Sequence, residues 1–339
     1  MAGYRIIADG EIIGDLSDTE LAYYNGRLEE AINESGRFEF SVNGANPKVK
    51  MVSPMLSVIE IRQGNTTRWR GRLTSVTRNK YNAVSVVCEG VLAWLRDILI
   101  EPPVNYSGLS AQTFISYVLA QYNASCSPNH QIHVGEIEKK KKITLSATEY
   151  LSAFDLLSIL ISQNGGYFTV SYSGTSSFLN YFAEPDTAGQ EINFAENLLD
   201  ITQVTDATKV ITVLIAKSRA GTYEATNEDA VAKYGKIYAY KFFDHVHSST
   251  EFHPMVDEYL NSMILGGQSI TVTAVDLSLL DADIAPFAVG NTARVKSAPH
   301  GIDISMVVSR KITDINNPAA SQITLGLPRE TLTAQLWKG

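Results

Sequence analysis

The chain has 339 residues, enough for about two domains at ~150 residues each and enough to bury a core without disulfides or a structural metal. Its 28 Lys and Arg face 36 Asp and Glu, a formal net charge of −8, which argues against a protein that grips nucleic acid, since binding needs clustered cations to displace counterions. Two cysteines exclude a disulfide framework and a Cys-rich zinc site, and no run approaches the ~20 apolar residues of a membrane span.

The first hundred residues read as strands. Tyr4–Ile7 and Glu11–Ile13 flank Asp9-Gly10, a pair suited to a tight hairpin turn. Arg37–Val42 alternates Phe38, Phe40 and Val42 against polar residues before Asn43-Gly44. Further strands are expected at Leu56–Arg62, Arg68–Thr77 and Ala83–Cys88, the last two joined by the polar turn Asn79–Asn82. Period-two patterning with closely spaced turns predicts a small antiparallel barrel or sandwich.

The period changes after Pro102-Pro103. Phe114, Val118, Leu119 and Tyr122 share one face of a helix predicted over Ser110–Tyr122. A second helix carries Leu151, Phe154, Leu157 and Leu160, with Ser146–Glu149 as its expected capping box and Asn164–Gly166 as its stop. Two strands, Tyr167–Tyr172 and Phe178–Phe182, complete an α/β unit. Strand character returns at Leu198, most clearly in Val210–Ala216. A strand at Ile237–Phe243 follows, then a helix with Pro254 in its expected first turn, an apolar stripe of Met255, Val256, Tyr259, Leu260 and Met263, and Gly266-Gly267 at its end. Four strands, Ser269–Leu277, Thr292–Lys296, Met306–Ile312 and Ser321–Leu327, close the chain.

Two three-strand runs are weakly alike. Val58–Ile61, Arg72–Thr77 and Val84–Gly90 correspond to Thr292–Val295, Met306–Thr313 and Gln322–Gly326. Three-strand meanders are common, so the likeness is read equally as a duplicated unit or as two independent meanders. The divisions expected are residues 1–100 for the first barrel and 101–195 for an α/β insertion. The second barrel takes 196–220 and 268–330, interrupted by a strand–helix segment at 221–267, and 331–339 form a tail.

Chemistry is sparse. No phosphate-cradling glycine loop, nucleophile elbow or His-Glu-x-x-His pattern occurs. Asp281 and Asp283 open like a calcium loop that lacks its glycine and closing glutamate. Cys126, His130 and His133 lie close in sequence in a loop-like segment with no fourth ligand nearby. In the group Asp244, His245, His247 and His253, the two middle histidines would share a strand face that a metal site could use, and a polar surface strand end explains them equally well. Cys88 sits in a strand pattern, where a small buried hydrophobe is expected; Cys126 is the better nucleophile candidate, with no nucleophile turn around it. Lys139–Lys142 reads as a solvated loop, and Arg68, Arg70 and Arg72 as an exposed strand face. No catalytic, cofactor-binding or metal-ligating residue is assigned, and no cofactor is expected.

Several stretches resemble the tail-tip, or baseplate-hub-like, proteins of phages and prophages, a group often named prophage tail endopeptidase. They are Ile32–Phe40, Arg70–Val76, Cys88–Asp97, Ala232–Ile237, and Val275–Leu280 through Pro286–Gly290 to Pro299–Asp303. The resemblance covers essentially the whole chain. It implies the fold class α+β, mainly β, with two related antiparallel β-barrels and inserted α/β segments, and a homotrimer whose six barrels form a pseudo-sixfold ring around a channel for DNA. Implied partners are the distal tail or tail-tube protein, the tape-measure protein and receptor-binding or fibre proteins, with no sequence-specific nucleic-acid binding and no membrane segment. The implied location is the virion tail tip, after synthesis in the cytoplasm of a Gram-positive, prophage-bearing host. The last expected strand ends at Leu327 and only Pro328–Gly339 follows, so the family's hydrolase domain is not expected and the chain is read as a non-enzyme. A peptidoglycan hydrolase with a cryptic site, through Cys126 or a carboxylate pair, is the alternative. A sugar-binding adhesin using exposed Tyr and Trp is a third reading.

Overall fold

The computed structural model describes residues 3–138, 142–182, 189–205, 210–243, 249–265, 268–281 and 283–326. The first β unit contains β1 (Tyr4–Ala8), β2 (Glu11–Asp15), β3 (Tyr23–Ala31), β4 (Arg37–Asn43), β5 (Val58–Gln63), β6 (Thr66–Arg78) and β7 (Ala83–Gly90). Asp9 and Gly10 both adopt positive φ, 50° and 90°, as a hairpin turn between β1 and β2 requires. Phe38, Phe40, Ile59, Ile61, Trp69 and Leu73 line its core, with period-two alternation driving them inward.

A short 3-10 turn at Val91–Arg96 leads into the α/β segment: β8 (Leu99–Ile100), β9 (Val104–Leu109), α1 (Ala111–Ser125), β10 (Ile132–Ile137), β11 (Ile143–Ala147), β12 (Leu151–Ser152), α2 (Ala153–Asn164), β13 (Tyr167–Ser173) and β14 (Ser176–Phe182). Phe114, Val118 and Tyr122 of α1 and Leu157 and Leu160 of α2 close over Trp94 in one core. The α2 capping box is Ser152 with Asp155, not Ser146 with Glu149. Ser146 lies on β11, and the β8–β12 ladder holds the chain extended until Ser152, so the first free amides of the helix meet that hydroxyl.

The second β unit starts with β15 (Glu191–Asn193) and β16 (Leu198–Thr205). The chain then builds a separate sheet from β17 (Val213–Ser218), β18 (Gly221–Thr226) and β19 (Tyr238–Phe243), with α3 (Glu228–Tyr234) and α4 (Ser249–Leu265). Thus β17, expected in the second barrel, pairs with β18 and β19 instead, and its Leu214 and Ala216 pack on Phe252, Val256 and Leu260 of α4. Anchoring of Phe252 in that core starts α4 at Ser249, which puts Pro254 inside the helix rather than in its first turn. The second unit resumes with β20 (Gln268–Val275), β21 (Thr292–Ser297), β22 (Ile302–Asp314) and β23 (Ala320–Leu325). Gly266-Gly267 and Leu327–Gly339 fall outside the described residues.

One curled sheet runs through both β units, in the order β16-β20-β23-β22-β3-β4-β7-β6-β5-β1-β2, with β21 and β15 attached beside β22. The order β3-β4-β7-β6-β5 repeats as β16-β20-β23-β22-β21. Both central strands, β6 and β22, are 13 residues long, and each pairs with the preceding strand by its first half and the following strand by its second. Both bulge at the same step, between Leu73 and Ser75 and between Val308 and Arg310. In each bulge a hydroxyl donates to a carbonyl of the next strand: Thr74 Oγ1 to Val87 O at 3.0 Å, and Ser309 Oγ to Thr324 O at 3.1 Å. Core positions match in register as well, Ile61 with Val295, Leu73 with Val308, Phe38 with Ile270 and Cys88 with Leu325, all buried.

The halves meet where β22 pairs with β3, Arg310 opposite Ala31 through Asp314 opposite Arg27. The turn after β22 secures this joint. Ile315 enters the first core, and the Asn316 side chain accepts from Gly26 N at 2.7 Å and donates to Tyr23 O at 3.0 Å. Gly26 has to lack a side chain, because an added Cβ would lie 2.5 Å from Ile315.

Candidate functional site

A cluster of buried charge lies where the first β unit meets the α/β segment, and it corrects the expectation of an exposed arginine face. Arg68 is exposed, but Arg70 and Arg72 are buried. Arg70 donates to Asn129 O at 3.0 Å and Ser177 Oγ at 3.4 Å, lies 3.5 Å from the Glu60 carboxylate and stacks 5.5 Å from the Trp94 ring. Burial pulls the Arg70 pKa below its ordinary value. Arg72 donates to Glu89 at 2.7 Å and holds Asp97 through both terminal nitrogens. The two guanidinium groups therefore clasp the α/β segment to the sheet; they leave no basic track for phosphates.

The histidines and cysteines do not converge. Cys126 and His130 are half-buried while His133 is exposed on β10, its ring 5.5 Å from Phe178. The His130 ring lies 4.5 Å from Trp94, and burial, then Arg72 and Arg70, lower its pKa. Burial raises the Cys126 thiol pKa, the opposite of what an activated nucleophile needs, and pushes Cys88 up further still. His253 stacks on Tyr223 at 4.1 Å; Asp244, His245 and His247 lie outside the described residues, as do Lys139–Lys141. The Asp281 side chain accepts from the Asp283 amide at 2.9 Å within its own turn. Among the described residues, no group of three or more His, Cys, Asp or Glu could hold a metal ion, and no helix is long and apolar enough to cross a membrane.

The surface offers edges and faces. A shallow cleft of about 330 Å³ beside the bulge of β6 is lined by Glu29, Glu34, Arg37, Thr74 and Glu89, a polar hollow without a convergent catalytic set. On β19, Tyr238, Tyr240 and Phe242 alternate onto one exposed face. Trp69 and Trp94, by contrast, are core residues unavailable for stacking on sugars.

No family model matches the sequence, and a search of curated proteins finds no match. Solved structures do match over nearly the full length. A 43 kDa tail protein of prophage MuSo2 from Shewanella oneidensis superposes with a TM-score of 0.72 at 14% identity, covering 96% of each chain. The fold is that of prophage tail proteins. A tail protein from Neisseria meningitidis gives a TM-score of 0.66 at 13% identity over 95% of this chain and 96% of that one. Prophage tail protein gp18 from Listeria monocytogenes gives 0.62 at 12% identity over 98% of both. Backbone similarity over nearly the full length thus accompanies sequence identities of only 12–14%. Sequence reasoning found the three-strand repeat of this sheet but missed its extension to β3 and β4 and the partners of Arg70 and Arg72.

Proposed function

We propose that the chain is a structural component of a phage tail tip, a hub in which three copies form a pseudo-sixfold ring. The repeated strand order is the observation that carries this reading: this chain contains two equivalent β units, so three copies would present six. Such a ring matches a sixfold tube on one side and threefold fibres or a spike on the other, through heterologous contacts that close. Its partners on this reading are the distal tail or tail-tube protein, the tape-measure protein and the receptor-binding apparatus, and its place is the virion. Three copies carry −24 formally, from −8 per chain, and acidic walls let DNA slide through by repulsion rather than hold it.

Native mass measurement and imaging of the purified chain, alone and with a tail-tube protein, test this directly. The expected species is a threefold ring of three 37.1 kDa chains. A chain that stays monomeric in both settings would refute the ring, and a basic channel wall would refute the sliding mechanism.

A further inference from the structure

We infer that neighbouring copies of this chain join by strand addition, the second half of β6 in one copy accepting β16 of the next copy as its missing neighbour. The inference rests on the ring reading above and specifies the joint that makes it. Within one chain the second half of β22 has β23 on one side and β3 on the other. Its counterpart, Ser75–Arg78 of β6, has β7 on one side and, among the described residues, no strand on the other. Likewise β16 matches β3: each flanks the next strand of its unit, β20 or β4, but the outer side of β3 is filled by β22 whereas β16, among the described residues, ends the sheet. Every chain thus holds one completed joint and one unfilled half of the same joint at each end.

Exposure follows the same pattern. Arg310, Lys311, Ile312 and Glu29 at the completed joint are half-buried. Ser75–Arg78 are exposed, as are Leu199 at 61% and Val204 at 41% on β16. The turn that secures the completed joint through Ile315 and Asn316 has as its counterpart Asn79–Asn82, which presents Tyr81 at 79% exposure. Charge distinguishes the two: Arg310 and Lys311 meet Glu29 and Glu30 inside the chain, whereas the counterparts of those four residues on the open edges are Ser75, Val76, Val204 and Thr205, all uncharged. The two edges do not pair with each other within the chain, where they lie seven strand steps apart in the sheet, about 34 Å along its surface. An open edge with unpaired amides and carbonyls is a template for another strand.

Transferring the internal register fixes the pairing. Ile312 opposite Glu29 becomes Thr77 opposite Val204, and Thr313 opposite Leu28 becomes Arg78 opposite Gln203. Directly opposed residues in an antiparallel pair lie ~4.5–5.5 Å apart at Cα, within disulfide range. The test is oxidation of a Thr77→Cys/Val204→Cys chain in assembled rings, with Ile312→Cys/Glu29→Cys as the internal control. Most of the protein is expected in linked dimers and trimers for the first pair, and in intrachain disulfides for the control. Thr77→Cys/Gln203→Cys, shifted by one residue onto opposite faces, is expected to give none. Rings that form without Thr77–Val204 links, or that link equally well through the shifted pair, would overturn the joint while leaving the ring intact. Absence of rings altogether would overturn both.

Discussion

Replacing Arg72 by Met keeps most of the apolar stem but removes the clasp between the sheet and the α/β segment. The side chain is 7% exposed, while its partners Glu89 and Asp97 are 32% and 40% exposed. A fully buried pair broken on one side costs ~3–5 kcal/mol, and an exposed pair ~0.2–1 kcal/mol. Because both carboxylates can recover water when the guanidinium is gone, each contact falls between those limits. A loss of about 2 kcal/mol in total is therefore expected, roughly 1 kcal/mol of it through Asp97. Urea unfolding followed by tryptophan fluorescence suits the question, since buried Trp69 and Trp94 lie on the two sides of the clasp. A double-mutant cycle with Asp97→Asn isolates the pairwise part. A loss under about 0.5 kcal/mol, or no coupling between Arg72 and Asp97, would show that the contact contributes nothing and that apolar packing alone fixes the segment.

Three further outcomes follow from the same geometry. Thr74→Val and Ser309→Ala each remove one bulge hydroxyl and are expected to cost about 1 kcal/mol, adding in the double variant because the sites are remote; urea titration of the three variants checks both points. Gly90→Ala places a methyl group 1.7 Å from Ser35 O, and a loss of at least about 2 kcal/mol is expected in the same assay. His130 has a folded pKa below its ordinary 6.5, so the stability it contributes is complete above that value and declines as pH falls through it. Unfolding midpoints measured between pH 7.5 and pH 5 should therefore drop, and His130→Gln should flatten the slope; an unchanged slope in that variant would assign the effect elsewhere.

Local patterning made much of the fold legible. Period-two alternation exposed Phe38, Phe40 and Val42 as one buried face, and i, i+4 spacing of Phe114 and Val118 located α1. Contiguous resemblance also revealed the repeat of β5-β6-β7 in β21-β22-β23. The equivalence of β3 with β16 was hidden because Leu28 is matched by Gln203, a core residue by an edge residue, and because strand pairing is non-local. Arg70 and Arg72 were misread for a related reason: alternating charge looks solvated until Glu60, Glu89 and Asp97, drawn from three places in the chain, close around it. The open edges proposed for assembly left no motif at all, since an open edge is defined by a strand that the chain itself does not supply.

The sharing of β22 between the two β units has a mechanical consequence. Its first half belongs to the second core, and its second half binds β3 of the first, so no loop between the units can act as a hinge. Tension pulling the halves apart along the strand direction would load the β22–β3 hydrogen bonds in shear, all at once, rather than peel them one by one. The α/β segment and the β17–β19 unit, by contrast, hang outside this continuous band and can vary without interrupting it. In the ring proposed above, that would make a hoop of unbroken sheet with decoration kept off the load path, a construction suited to the passage of a genome under pressure.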